Sequence, residues 1–246
     1  KKLRMPIFAI YGFVRYADEI VDTFHDYDKK KLLDRFRHDT YQAIEEGISL
    51  NPVIYAFQKV VKEYNIEHEL VDAFLHSMEM DLRSIAYDTG KYNEYIYGSA
   101  EVVGLMCLHV FCDGNKEQYH QLKDSAKSLG AAFQKVNFLR DLKSDFYERG
   151  RTYFPGVNFN DFTKDAKKVI EADIQKDFDD AYKGIMALPS SSRRGVYLAY
   201  IYYLKLFERI KRTSAARIQH ERIRVPDSLK IALLAKTLVK GTLNVL

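Results

Sequence analysis

The sequence predicts an all-α chain, and three observations carry that prediction. Apolar residues recur at three- and four-residue intervals without sustained strand-like alternation, only five prolines occur, and none lies between Pro52 and Pro155. With 246 residues, 47% of them hydrophobic, the chain can bury a large core, and nothing in its composition requires a second domain. A single domain over residues 1–246 is therefore expected.

Taken in order, the periodicity predicts helices over 4–25, 29–47, 52–64, 67–87, 91–112, 116–147, 163–187, 191–217 and 228–244. Asp28 is placed to cap the second, Gly47 and Asn51-Pro52 part the second from the third, and Gly114-Asn115 splits the fifth from the sixth. No repeat of solenoid period and no low-complexity stretch interrupts the series.

Composition narrows the function. The net charge is +4 with both signs interleaved, so no nucleic-acid footprint is indicated. Cys107 and Cys112 lie in an apolar stretch without histidine at metal-finger spacing and read as reduced core cysteines of a cytoplasmic protein. The seven histidines are scattered, with no pair at ligand spacing. The longest apolar run, Val196 to Phe207, falls short of the roughly 18 residues a spanning helix needs. Leu229 to Leu246 alternates apolar residues with Lys230, Lys236 and Lys240, which suits a docked helix with a solvated face or a basic face resting on a membrane surface.

The chemistry concentrates in the sixth helix. At about 100° per residue, Gln134, Asn137, Asp141 and Asp145 fall on one stripe roughly 80° wide. Leu129, Ala132, Phe133, Val136, Leu139 and Leu142 take most of the remaining circumference, so the helix is expected to be buried. Two carboxylates one turn apart repel, and a water-poor setting makes them costly unless a cation answers them. Oxygen donors without histidine or cysteine point to a hard ion, Mg²⁺ before Zn²⁺.

The first helix repeats the device. Tyr11, Arg15, Asp18 and Asp22 share an arc roughly 60° wide among residues so apolar that almost no face is left for solvent. Either acid pair alone reads equally well as a solvated face or a satisfied ion pair. Two such pairs, each beside arginine, describe a site for a metal-bridged polyanion such as diphosphate.

Tyr11-Gly-Phe-Val-Arg15-Tyr-Ala-Asp18-Glu19-Ile-Val-Asp22 resembles the first aspartate-rich motif of the squalene/phytoene synthases. Gln134 through Asp145, with Arg149-Gly-Arg151-Thr-Tyr153-Phe-Pro155, resembles the second. Between them, Tyr95-Ile-Tyr97-Gly-Ser-Ala-Glu-Val-Val-Gly104 is similar to the family's glycine-bearing helix. The resemblance implies the isoprenoid synthase fold, with helices around a central cavity. It implies head-to-head condensation of two geranylgeranyl diphosphates to phytoene through a cyclopropyl diphosphate. Asp18, Asp22, Asp141 and Asp145 would hold Mg²⁺, with Mn²⁺ as substitute, and Tyr97 would stand near the reacting carbons. Arg15, Gln134, Asn137 and Tyr11 would line the diphosphate site. Tyr203 and Arg222 resemble a late phosphate-contacting pair, with Tyr200 and Tyr202 as competing positions for the tyrosine.

The chain departs from the family pattern at Glu19, where a second aspartate is usual, and at Glu101, where a glycine is usual. A serine-rich flap over the phosphates does not precede Lys1, so the resemblance implies an incomplete chain. Nothing resembles a C-terminal membrane anchor and no glycine motif suggests NADPH, which favours phytoene over squalene or dehydrosqualene made from farnesyl diphosphate. A non-catalytic assembly relative and a helical module for an anionic lipid are the readings from other classes. Peripheral contact at the inner membrane surface would suit an apolar product.

Overall fold

The computed structural model describes residues 2–83, 87–145, 153–157 and 162–227. Among these residues every regular element is helical. The order is α1 (Arg4–Asp22), α2 (Lys29–Glu46), α3 (Pro52–Tyr64), α4 (His68–Met80), α5 (Thr89–Ile96), a π-helical turn (Tyr97–Glu101), α6 (Val102–Cys112), α7 (Lys116–Lys143), α8 (Lys164–Ala187), α9 (Ser190–Arg212) and α10 (Ala215–His220). The chain forms two compact units, one of Lys1–Arg83 with Glu94–Lys123, the other of Ser84–Asn93 with Asp124–Leu246.

Local chemistry sets the ends as the sequence leads one to expect. The Asp28 carboxylate accepts from the Lys31 amide to start α2, and Asn51 accepts from Val53 and Ile54 to start α3 behind Pro52. Gly47 ends α2 at φ 79°, a left-handed conformation that costs glycine least.

Five boundaries differ from the periodicity by two residues or more. Expected to run to 25, α1 ends at Asp22, beyond which the Thr23 amide bonds the Glu19 carbonyl. Expected to run to 87, α4 stops at Met80, where the amides of Leu82 and Arg83 turn to the carbonyls of Glu79 and Met80 and the Asp81 carboxylate accepts from Tyr95. The helix expected over 191–217 breaks at Thr213: its hydroxyl bonds the Arg209 carbonyl, and Ser214 caps a new helix by accepting from Arg217. The helix expected over 91–112 starts two residues earlier, where Asp88 accepts from the Lys91 amide, and contains the π turn. α7 is regular to Lys143, short of the expected 147, and Asp145 lies in a further π turn. The helix expected over 228–244 lies outside the described residues.

In the first unit the core is organised on Phe13. Its ring stacks on Phe57 of α3 at 3.8 Å and 6°, and meets Phe36 of α2 at 5.1 Å and Phe74 of α4 at 5.6 Å. One α1 side chain thus ties four helices together. It also corrects the expectation that α1 is buried all round. The hub draws Ile10, Phe13, Ala17 and Ile20 inward, while Tyr11 on the far side is 64% exposed, Arg15 is exposed, and Asp18 and Asp22 are half-buried.

The α5 to α6 rod is a second correction. No run long enough to span a membrane was expected, yet Thr89–Cys112 is one helix of 24 residues, long and apolar enough by length and composition. More than half of that span is buried inside the chain, and α6 packs on α1 and α4, as a core helix does. Burial pushes the Cys107 thiol up to about 12 and the Cys112 thiol to about 11, which leaves both protonated. At Gly98 the rod meets α4 closely: a Cβ there would collide with the Ala73 carbonyl oxygen and stand 2.7 Å from Ser77 Cβ.

In the second unit, α7 and α8 meet at Gly184, where a Cβ would strike Ser125. Further along α7, Lys135 is only 8% exposed and donates to Asp173 at 2.6 Å and Asp177 at 2.7 Å, both on α8. Burial works against the ammonium, but the two carboxylates overcome it and raise Lys135 above the ordinary lysine value.

Two stability measurements follow. Gly98→Ala should cost roughly 1–3 kcal/mol by overpacking and lower the melting temperature by several degrees; an unchanged calorimetric transition would refute the close contact. Lys135→Met should cost about 1–3 kcal/mol, discounted because Asp173 stays half in water. A raised folded value means that the ion pair's contribution is complete below the unfolded lysine value and fades as pH climbs through the folded one. The variant's deficit should therefore be constant from about pH 6 to 9 and shrink only above about 10.5.

Candidate functional site

α7 displays its polar stripe because Ala132, Val136, Leu139 and Leu142 are buried and fix its rotation. Gln134, Asn137 and Asp141 are half-buried, and Asp145 is 8% exposed. Asn137 Nδ2 donates to Gln134 Oε1 at 3.5 Å, so the two amides form one file.

Two later residues reach this file. Tyr203 of α9 stacks its ring on Phe133 with centroids 3.9 Å apart, and its hydroxyl donates to Asn137 Oδ1 at 3.3 Å. Of the competing tyrosines, Tyr200 packs against Phe178 and Tyr182, and Tyr202 stands edge-on to Tyr203. Arg222, in the extended segment after α10, places Nε 2.7 Å from Asp141 Oδ1 and Nη2 3.4 Å from Oδ2. The stripe residues Gln134, Asn137 and Asp141 are thus met by Tyr203 and Arg222, the pair that the family resemblance implies.

Arg140 was missed. Its Nη2 lies 2.5 Å from Asp141 Oδ2, and its Nε lies 3.1 Å from both carboxylate oxygens. Burial opposes its charge, but Asp141 outweighs that and holds the guanidinium above the usual arginine value. Asp141 is therefore gripped by two guanidinium groups. The signal for Arg140 was its place in the motif, immediately before Asp141; a search along one stripe passes over it because it points some 100° away.

Within the first unit, the α1 arc carries its own ion pairs. Arg15 Nη1 lies 2.5 Å from Asp18 Oδ2 and Nη2 lies 2.5 Å from Glu19 Oε2, so the residue that departs from the family pattern shares the arginine with the motif's aspartate. Tyr11 and Asp22 lie on the same side of the helix. Tyr97 opens the π turn and is half-buried, and Glu101 closes it. Such turns often mark functional positions in helices.

The donor set suits a hard divalent ion. Each helix offers aspartate oxygens one turn apart, and among the described residues no three acidic, histidine or cysteine side chains converge into a closed cage. Mg²⁺ is commonly held by one or two carboxylates, with water and substrate phosphate completing its octahedron, so these residues fit it. Arg149 and Arg151 lie outside the described residues, while Tyr153 beyond them is buried and stacked on Phe138 at 3.9 Å and 5°.

Residues 1–228 match the family model described as squalene/phytoene synthase. A chloroplastic phytoene synthase of Solanum lycopersicum is 29% identical over 97% of this chain and 63% of its own length. A 4,4'-diapophytoene synthase of Staphylococcus haemolyticus is 26% identical over 69% of this chain and 59% of its own. The chain thus spans about three fifths of the length of these two relatives. A dehydrosqualene synthase crystal structure shares the fold with a TM-score of 0.78, at 21% identity over 98% of this chain and 87% of that one. A squalene synthase from Alicyclobacillus acidocaldarius does so with a TM-score of 0.73, at 22% identity over 85% and 83%. The helical layout is that of these isoprenoid synthase folds, and on a family match running from Lys1 to Ser228 the chain belongs to the squalene/phytoene synthase family.

Proposed function

We propose that this chain is a prenyltransferase that condenses two geranylgeranyl diphosphates head to head into phytoene. The observation that carries the reading is the grip on Asp141: guanidinium groups of Arg140 and Arg222 meet one carboxylate at the end of a file of amides and a phenol. Arginine forks match phosphate oxygens bidentately, and the amides of Gln134 and Asn137 add neutral donors. By the family resemblance, Arg15 on α1 would supply a further cation.

Charge grows on a diphosphate as it departs, so fixed cations stabilise the transition state more than the bound substrate. Mg²⁺ or Mn²⁺, held by Asp18, Asp22, Asp141 and Asp145, would supply Lewis-acid neutralisation of that same charge. Ionisation of one substrate releases its diphosphate and leaves an allylic cation; the double bond of the other attacks it, and loss of a proton closes the ring of the cyclopropyl diphosphate. A second ionisation releases the other diphosphate, rearrangement joins the two C1 atoms, and loss of a second proton leaves the central double bond of phytoene, with Tyr97 near these carbons by the family resemblance. Aromatic rings stabilise a passing cation by about 0.5–2 kcal/mol each. No reduction is needed for phytoene, so NADPH has no part. The choice of substrate is supported by the phytoene synthase relative, which aligns over 97% of this chain against 69% for the diapophytoene synthase. Action in the cytoplasm, with peripheral contact at the inner membrane surface for an apolar product, belongs to the same proposal.

The test is incubation with Mg²⁺ and, separately, farnesyl and geranylgeranyl diphosphate, with the hydrocarbon extract read by mass spectrometry. A C40 product from geranylgeranyl diphosphate is expected. A C30 product from farnesyl diphosphate alone would move the substrate to the squalene or dehydrosqualene class. No hydrocarbon from either would replace catalysis by an assembly or lipid-binding role. Asp141→Asn should cut turnover about 10²-fold or more while the far-ultraviolet circular dichroism stays helical; a wild-type yield would overturn its assignment.

A further inference from the structure

We infer that Phe133 is a positioning residue, acting through Tyr203 on the amide of Asn137; this rests on the reading of Asn137 as part of the diphosphate site. Phe133, Asn137 and Arg140 stand at i, i+4 and i+7 and form one line along α7. Tyr203 lies on that line. Its ring is stacked on Phe133 at 3.9 Å and 16°, and its hydroxyl donates to Asn137 Oδ1 at 3.3 Å.

A tyrosine has two side-chain torsions, so a ring held flat against another ring leaves its hydroxyl little freedom. That hydroxyl, donating to Oδ1, and Gln134 Oε1, accepting from Nδ2, together set which way the Asn137 amide faces. With Oδ1 engaged by Tyr203, Nδ2 points along the file toward Gln134, and its N–H groups rather than its oxygen are available to the stripe. For an anion the difference matters: one orientation presents donors, the other a repelling lone pair.

Phe133 is also poorly explained as core filling. It is half-buried, like Gln134 and Asn137 of the stripe, whereas the residues that anchor α7, Ala132, Val136 and Leu139, are fully buried. What a leucine at 133 could not reproduce is the flat face that orients Tyr203.

Four variants test this with two readouts. Phe133→Leu should lower kcat/KM about threefold to tenfold, the worth of an aromatic pair, with little change in melting temperature. Phe133→Tyr keeps a flat face and should restore the wild-type value. Tyr203→Phe removes the hydroxyl, and adding Phe133→Leu to it should do no further harm, because the path through the hydroxyl is already cut. The second readout is the side-chain ¹⁵N–¹H signals of Asn137, assigned by their loss in Asn137→Asp. Phe133→Leu and Tyr203→Phe should both displace them in the same direction, and Phe133→Tyr should leave them in place. Unmoved Asn137 signals in Phe133→Leu, or losses that simply multiply in the double variant, would overturn the inference. If the wild-type chain makes no hydrocarbon, it is the proposed function that fails, and the amide signals alone decide the role of Phe133.

Discussion

A helix buried around most of its circumference can carry charge only where each charge is answered, and α7 is built on that constraint. On one side Lys135 enters the interior because Asp173 and Asp177 of α8 receive it. On another, Asp141 is tolerated because Arg140 and Arg222 surround it. An uncompensated charge in such a place costs about 1–3 kcal/mol, reduced because Asp173 and Arg222 each stay half in water. Partners on α8 and in the segment after α10 answer these charges, and they tie those elements to α7. The chemistry of the stripe and the stability of the second unit are thus served by the same set of pairings.

α1 solves the opposite problem. Its hold on the protein is apolar and one-sided, through Phe13 and the three rings around it. The remaining side is free to present Tyr11, Arg15, Asp18 and Asp22 where water still reaches them. Ion pairs there are screened and weak in energy, so Arg15 can change partners at small cost. The two motifs, alike as sequence patterns, therefore sit in different electrostatic surroundings.

Much of the fold was legible because apolar phase and end signals are local. Asp28, Gly47 and Asn51-Pro52 do the work that their types suggest. A break that rests on a partner elsewhere was not legible: α4 ends where Asp81 receives Tyr95. The break after α9 is local, with Thr213 bonding back to Arg209 and Ser214 capping α10, and the apolar period alone runs across it. The candidate site divides in the same way. Gln134, Asn137 and Asp141 could be read from their common phase, and Tyr203 and Arg222 from the family resemblance. Arg140, Lys135 and Phe133 could not, since phase alone passes over neighbours that work from the side of a stripe. Spacing has a further blind spot. Asp173 and Asp177 repeat the four-residue interval of the motif aspartates, yet their work is to neutralise a lysine. On α1 the count of apolar residues overstated burial, because a single ring hub draws in one side and leaves the other wet.

The π turn at Tyr97–Glu101 has a consequence for how this helix can vary in length. A π turn holds one more residue than the α turn it replaces, so it acts as a phase shifter within an otherwise continuous rod. Removing one residue there would let the rod close into plain α-helix while the stretches on either side keep nearly the same facing, because the π turn is what absorbs the extra residue. The packing of α6 on α1 and α4 does not depend on that residue. The turn thus lets the rod carry one more residue than an α-helix of the same reach, and the surplus is confined to Tyr97–Glu101.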